Sequence, residues 1–218
     1  MKNVIKRIFI ILILVGLIIG GLFIYKEFFM KDDDGGSKRK PIVEEAKELD
    51  TIEGFSYILY DNSTELYKDL YYELKEVLEA EEIDYKLYAE VISKMFVADF
   101  YTLNNKVTNQ NVGGLDFVHS KIKDNFKTKA TETLYKHIET NVYGDRTQKL
   151  PEVSGFNSCV ATLTPYTYTN KEDGISINDP NGYVVKISWN YKEDLGYQKS
   201  ATIRLVHEDK YLTIVSVN

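Results

Sequence analysis

The apolar positions of this chain change period twice, and the three regimes predict three kinds of structure. Ile8 to Tyr25 (IFIILILVGLIIGGLFIY) is apolar and carries no charge. At about 1.5 Å per residue a helix of this length spans roughly 27 Å, the thickness of a bilayer core. The run therefore predicts a transmembrane helix. From Asn62 onward the apolar spacing is three and four. Asn62 with Glu65 makes a capping-box pattern, and Leu66, Leu70, Leu74, Val77 and Leu78 predict a helix to about Ala80. Asp84 is placed to cap the next helix. There Leu87, Tyr88, Val91, Ile92, Met95, Phe96 and Phe100 form a wide stripe reaching about Leu103. A turn around Gly113-Gly114 follows, with room for one helical turn over Asp116 to Ser120. Ile122, Phe126, Ala130, Leu134 and Ile138 then predict a third helix to Glu139.

After Gly144 the period shortens to that of strands. Phe156 to Tyr168 is rich in Val, Thr and Tyr and predicts a strand. Asn178-Asp179-Pro180-Asn181-Gly182 predicts a turn. Tyr183 to Tyr191 places Val185, Ile187, Trp189 and Tyr191 on one face; Ala201 to Val206 and Tyr211 to Val217 complete a run of closely spaced, antiparallel strands. Before the helices, Lys31 to Lys40 (KDDDGGSKRK) reads as a linker, Pro41 opens a short helix in PIVEEAKEL, and Phe55 to Tyr60 reads as a short strand or extended arm. The fold class expected is α+β: about three helices packed on one face of a curved antiparallel sheet. The organisation expected is a cytoplasmic tail over 1–7, a transmembrane signal anchor over 8–25, a linker with a short helix over 26–54, and an extracytoplasmic domain over 55–218.

Charge bears on topology. Lys2, Lys6 and Arg7 stand flush against the apolar run, while Lys26, Lys31, Lys38, Arg39 and Lys40 are spread out behind it among Asp32, Asp33 and Asp34. A raw count of positives favours the opposite orientation. The short tail with cations at the helix edge is nevertheless the usual form of an N-in anchor, so the domain is expected outside the cytoplasm at the cell membrane. No small-x-small cleavage site and no cysteine follow the run, which argues for an uncleaved anchor over a signal peptide. Gly16 and Gly20 form a G-x-x-x-G pair, a candidate helix–helix contact for self-association.

The formal net charge is -6; without Lys2, Lys6 and Arg7 the 27 basic residues fall to 24 against 33 acidic ones. So acidic a domain is a poor general nucleic-acid binder. Cys159, the single cysteine, excludes an intrachain disulfide and a cysteine metal cage; its setting, Asn157-Ser158-Cys159-Val160-Ala161, reads as a buried small hydrophobe on a strand. His119, His137 and His207 lack metal-ligand spacing, and no nucleophile elbow, phosphate loop or dinucleotide fingerprint occurs. No cofactor or metal is expected, and no catalytic residue is assigned.

The long helix DYKLYAEVISKMFVADFYTL together with the strand set GYVVKISWNYKEDLGYQKSATIRLVHEDKYLTIVSVN resembles the NTF2-like superfamily, in which a bent sheet wraps around a long helix. Such a domain behind one membrane helix is similar to the VirB8-type and TcpC-type components of bacterial conjugation and secretion machines. The resemblance covers about residues 55–218. It implies an interior pocket between helix and concave sheet, with Tyr88, Asp99, Tyr101, His119, Trp189 and Tyr191 as candidate lining residues. Two readings remain, between which the resemblance does not choose. In the first, the domain is a membrane-anchored module binding other membrane or cell-surface proteins, with surface tyrosines such as Tyr67 and Tyr72 in the contacts. In the second, it is a small-ligand or isomerase-like pocket protein in which a buried acid beside tyrosines moves a proton.

Overall fold

A computed structural model of the chain describes residues 41, 46–172 and 174–218. The expected tail, the apolar run 8–25 with Gly16 and Gly20, and the linker 26–40 lie outside the described residues. Among the described residues no helix is long and apolar enough to cross a membrane. Residues 41–218 form one compact unit, and it is α+β.

The unit opens with a two-stranded antiparallel pair, β1 (Glu48–Thr51) and β2 (Ile58–Tyr60). The short helix expected over PIVEEAKEL is therefore not continued to its end, since Glu48 and Leu49 are in β1. Tertiary contacts override local propensity here. β1 pairs with β2, Ile52 just beyond it is fully buried, and Asp50 meets Lys75 at 2.7 Å. Residues 48–52, expected in the linker, belong to the folded unit.

Helix α1 (Glu65–Leu78) buries Leu70, Tyr71, Leu74, Val77 and Leu78. Its cap is Thr64, whose hydroxyl accepts the Tyr67 N–H at 3.2 Å, and not Asn62. Helix α2 (Tyr85–Phe100) begins as expected: the Asp84 carboxylate accepts the N–H groups of Lys86 and Leu87 at 2.9 and 3.0 Å. Two single 3₁₀ turns, Leu115–Phe117 and Ser120–Ile122, lead into α3 (Lys123–Glu132).

Helix α3 stops well short of Glu139. Thr128, Thr131 and Thr133 each donate a hydroxyl hydrogen bond to a carbonyl of the preceding turn, which competes with helix propagation. Beyond it Tyr135 turns fully into the core. The four-residue spacing of apolar residues therefore continues past the helix that it predicted.

Four strands make the main antiparallel sheet, in the order β3 (Val153–Leu163), β6 (Tyr183–Tyr191), β7 (Ser200–Glu208), β8 (Tyr211–Val217). Register shifts in β3 and between Arg204 and Leu205 curve it. A separate hairpin, β4 (Tyr166–Asn170) with β5 (Ile175–Asp179), is inserted between β3 and β6. The single strand expected over 156–168 thus breaks at Thr164-Pro165. Thr164 donates its N–H to Gly182 at 2.7 Å, and Pro165 has no N–H for a ladder. Gly182 is required at this crossing because a Cβ there would lie 3.0 Å from the Leu205 carbonyl and 3.1 Å from that of Thr164.

Helix α2 lies against α1 on one side and against β3, β6 and β8 on the other. This double contact explains its apolar width: ten of its residues are buried. The face of β6 carrying Val185, Ile187, Trp189 and Tyr191 points into this core, as its period predicted.

Candidate functional site

Of the residues expected to line an interior pocket, Tyr101, Trp189 and Tyr191 pack against one another. An aromatic file runs through the core. Phe96 stacks on Phe100 at 5.0 Å between centroids, Phe100 meets Tyr101 edge-on at 4.9 Å, and Tyr101 meets Trp189 at 4.6 Å. Trp189 then meets Tyr191 at 6.4 Å, and Tyr191 donates its hydroxyl to the Gln198 carbonyl at 2.7 Å. Trp189 is fully buried. Tyr88, equally buried, has its hydroxyl 2.8 Å from that of Tyr57 and accepts the Leu212 N–H at 3.4 Å. Burial pushes the Tyr88, Tyr101 and Tyr191 hydroxyls up to about 12, because the phenolate would lose its hydration. Near neutral pH they stay protonated.

Asp99 is engaged in holding a turn. It sits at the end of α2 with its side chain one-third exposed. One carboxylate oxygen takes the Lys106 ammonium at 2.5 Å, the other the Gly114 N–H at 2.6 Å. Gly114 has φ +70°, and a Cβ on Gly113 would fall 2.5 Å from the Asp99 carbonyl oxygen. Tyr135 completes the clamp, accepting the Gly113 N–H at 3.1 Å and donating to the Phe100 carbonyl at 2.6 Å. Asp99 thus fastens the Gly113-Gly114 turn to α2. The Gly-Gly pair, readable in the sequence as a plain turn, is required by this close approach.

Two of the histidines, His119 and His207, lie beside carboxylates of the sheet strands. His119 is buried, its Nδ1 accepting the Lys121 N–H at 3.2 Å and lying 3.7 Å from Glu208. Burial lowers its affinity for a proton, against the pull of Glu208. His207 pairs with Asp179, at 2.7 Å through its backbone N–H and 2.8 Å through Nδ1. Burial raises the Asp179 carboxyl, but the hydrogen bonds from His207 and Asn181 outweigh it and the net shift is downward. An oriented His–Asp pair suits a general base. Among the described residues, however, no hydroxyl or thiol is bonded to the His207 ring, and no cluster of three His, Cys, Asp or Glu could hold a metal ion.

Cys159 is half-buried on β3, its thiol donating to the Glu90 carbonyl at 3.5 Å. Burial pushes that thiol up to about 12, which removes the thiolate that reactivity needs.

A concavity open to solvent lies elsewhere. A cleft of about 530 Å³ runs between α3, the β4–β5 hairpin and the last residues of β8. Phe126 and Leu134 wall it on one side, Tyr166, Tyr168 and Ile177 on the other, and Val215 and Val217 come from the strand. Lys129, Asn125, Gln198 and Asn218 supply its polar atoms. Of the residues singled out from the sequence, Tyr101 alone reaches this cleft; Tyr88, Asp99, His119, Trp189 and Tyr191 do not line it. Sequence reasoning missed it because one of its walls is the β4–β5 hairpin. The alternation of Ile175 and Ile177 was the signal for β5, but it is too short to separate from a loop.

Comparison with known proteins finds no matching family model, no matching curated protein and no matching solved structure.

Proposed function

We propose that this chain is a membrane-anchored, extracytoplasmic protein-binding module of NTF2-like architecture. Residues 8–25 hold it in the membrane, and it serves as a scaffold part comparable to the VirB8-type components of conjugation or secretion machines. The observation that carries the reading is the contrast between a filled interior and apolar side chains left outside. The expected pocket is occupied by Trp189, Tyr101 and Tyr191. Meanwhile Leu163 is 58% exposed, Val160 54% and Tyr72 50%. Large apolar groups in water mark contact surfaces when they gather in patches, and Tyr offers large contact area at low rotamer cost. Tyr67, the other tyrosine expected at the surface, is half-buried against the core, so Tyr72 is the better probe. The anchor raises the domain's effective concentration for neighbours in the same membrane.

A second reading, small-ligand binding, is favoured by one feature: the cleft beside α3 has the volume of a ligand pocket.

Photo-crosslinking in intact cells from Tyr72→benzoylphenylalanine tests the first reading. The expected result is a discrete crosslinked partner that persists in Asp99→Asn. That variant is expected to cost about 1–3 kcal/mol of stability because Lys106 loses its counter-charge while the surface is unchanged. Loss of the cellular phenotype in Asp99→Asn with the domain still folded at the assay temperature, and no crosslink from Tyr72, would favour the pocket reading instead.

A further inference from the structure

The two edges of the main sheet are finished differently. On β3, Glu90 reaches over from α2 and its carboxylate accepts the Ala161 N–H at 2.9 Å. Register shifts also break β3 near Val153 and Phe156. Both are ordinary ways of closing an edge to foreign strands. On β8 the chain covers the edge only as far as Ile214. Val118 makes a single parallel bridge to Ile214, and the His119 N–H donates to the Ile214 carbonyl at 3.0 Å. The chain then leaves the edge for the 3₁₀ turn and α3.

Beyond Ile214 the edge runs along the cleft. Asn218 exchanges both backbone hydrogen bonds with Thr202, at 3.1 and 2.8 Å. In an antiparallel ladder the bonded and non-bonded pairs alternate. Val217, next to Asn218, therefore aims its N–H and C=O away from β7 and towards the cleft. Val215 to Asn218 carries no charged side chain and no proline, two usual deterrents on an exposed edge; a register shift places Val215 as a bulge, and regular pairing resumes at Ser216 opposite Arg204. Four residues of strand offer roughly 13 Å of edge.

The walls add selectivity to this backbone template. Phe126, Leu134, Tyr168 and Ile177 make them apolar. Lys129 brings a cation from α3, and the segment Ser120–Thr133 carries Lys121, Lys123, Lys127 and Lys129 against Asp124 and Glu132. In a chain of net charge -6, this is a locally basic segment, and Lys129 is its cation on the cleft. We propose that the edge of β8 beyond Ile214 is a strand-addition site for an extended peptide with apolar residues at alternate positions and an acidic residue opposite Lys129. Main-chain pairing with Val217 supplies affinity and the cleft walls supply sequence preference. The inference rests on the protein-binding reading and names the surface and the chemistry of the partner.

The test is selection of a displayed library of seven-residue peptides on the full chain in lipid nanodiscs, followed by fluorescence anisotropy with the most enriched peptide carrying fluorescein. Val217→Pro removes the outward N–H without touching a ladder bond. Alternate N-methylation of the peptide removes its strand hydrogen bonds and needs no protein variant. The enriched peptides are expected to alternate apolar residues around an acid. Binding should weaken at least tenfold with Val217→Pro and with the N-methylated peptide, and Lys129→Glu should shift preference to a version carrying lysine in place of the acid. Enriched peptides that bind Val217→Pro and tolerate N-methylation as well as the wild type overturn the strand-addition site and leave the protein-binding reading standing. No enriched peptide, with the Tyr72 crosslink intact, does the same. No enriched peptide and no crosslink removes both.

Discussion

Trp189 and Tyr168 are both aromatic residues on strands of one domain, yet Trp189 is fully buried and Tyr168 is 40% exposed beside an open cleft. The difference comes from what covers each strand. β6 lies in the middle of the sheet with α2 across its face, so every inward side chain meets a helix or another ring. β4 belongs to a hairpin outside that sheet, and its neighbour α3 buries only Ala130 fully. Where two layers meet squarely the interior closes. Where a short helix and a detached hairpin approach the sheet edge, a cleft remains.

Substitution should separate the two regions most strongly. Trp189→Ala removes the ring that Tyr101 and Tyr191 pack on and is expected to cost about 3–5 kcal/mol. Tyr168→Ala is expected to change stability by no more than about 0.5 kcal/mol. Denaturant midpoints of the two variants measure this. Equal shifts would mean that the cleft wall is as integral to the core as β6.

A smaller effect tests the sealing itself. The folded-state pKa values of Tyr88, Tyr101 and Tyr191 are raised from about 10 to about 12 by burial. The folded chain keeps these protons where the unfolded chain has lost them. Their contribution to stability is therefore fully present below pH 10 and is lost as pH rises through about 12. Absorbance at the tyrosinate band, followed with circular dichroism, should show the exposed tyrosines ionising first and the buried group only with unfolding. Full tyrosine ionisation near pH 10 with the dichroism unchanged would show a core open to water.

The parts of the fold that were legible in the sequence are those whose burial repeats the intrinsic period of the element. β6 and β8 were readable to the residue: the inward positions of β6 alternate from Val185 to Tyr191, and β8, although buried on both faces from Leu212 to Val215, is a short β-branched run bounded by a turn. The start of α2 was readable through Asp84, a cap whose geometry is local. The misses share a physical cause: non-local partners decide them. β1 is a strand because β2 pairs with it, and nothing in PIVEEAKEL announces that. Helix α3 ends where threonine hydroxyls turn back on the helix and Tyr135 is drawn to the Gly113-Gly114 clamp, although the apolar spacing runs on to Ile138. Asp99 was noticed as an acid among aromatics, but its true partners, Lys106 and Gly114, come from a loop whose path the sequence does not reveal. The cleft was out of reach because three separate segments build it.

The account turns on an interior that is closed and a β8 edge that is open. Residue-resolved amide hydrogen exchange of the full chain in nanodiscs compares Val185, in the middle of the sheet, with Val217 on the edge. The account predicts that Val185 exchanges only through global opening while Val217, one residue from the bonded Asn218, exchanges orders of magnitude faster. Equal protection of the two amides would mean that the β8 edge is already covered and would contradict the account.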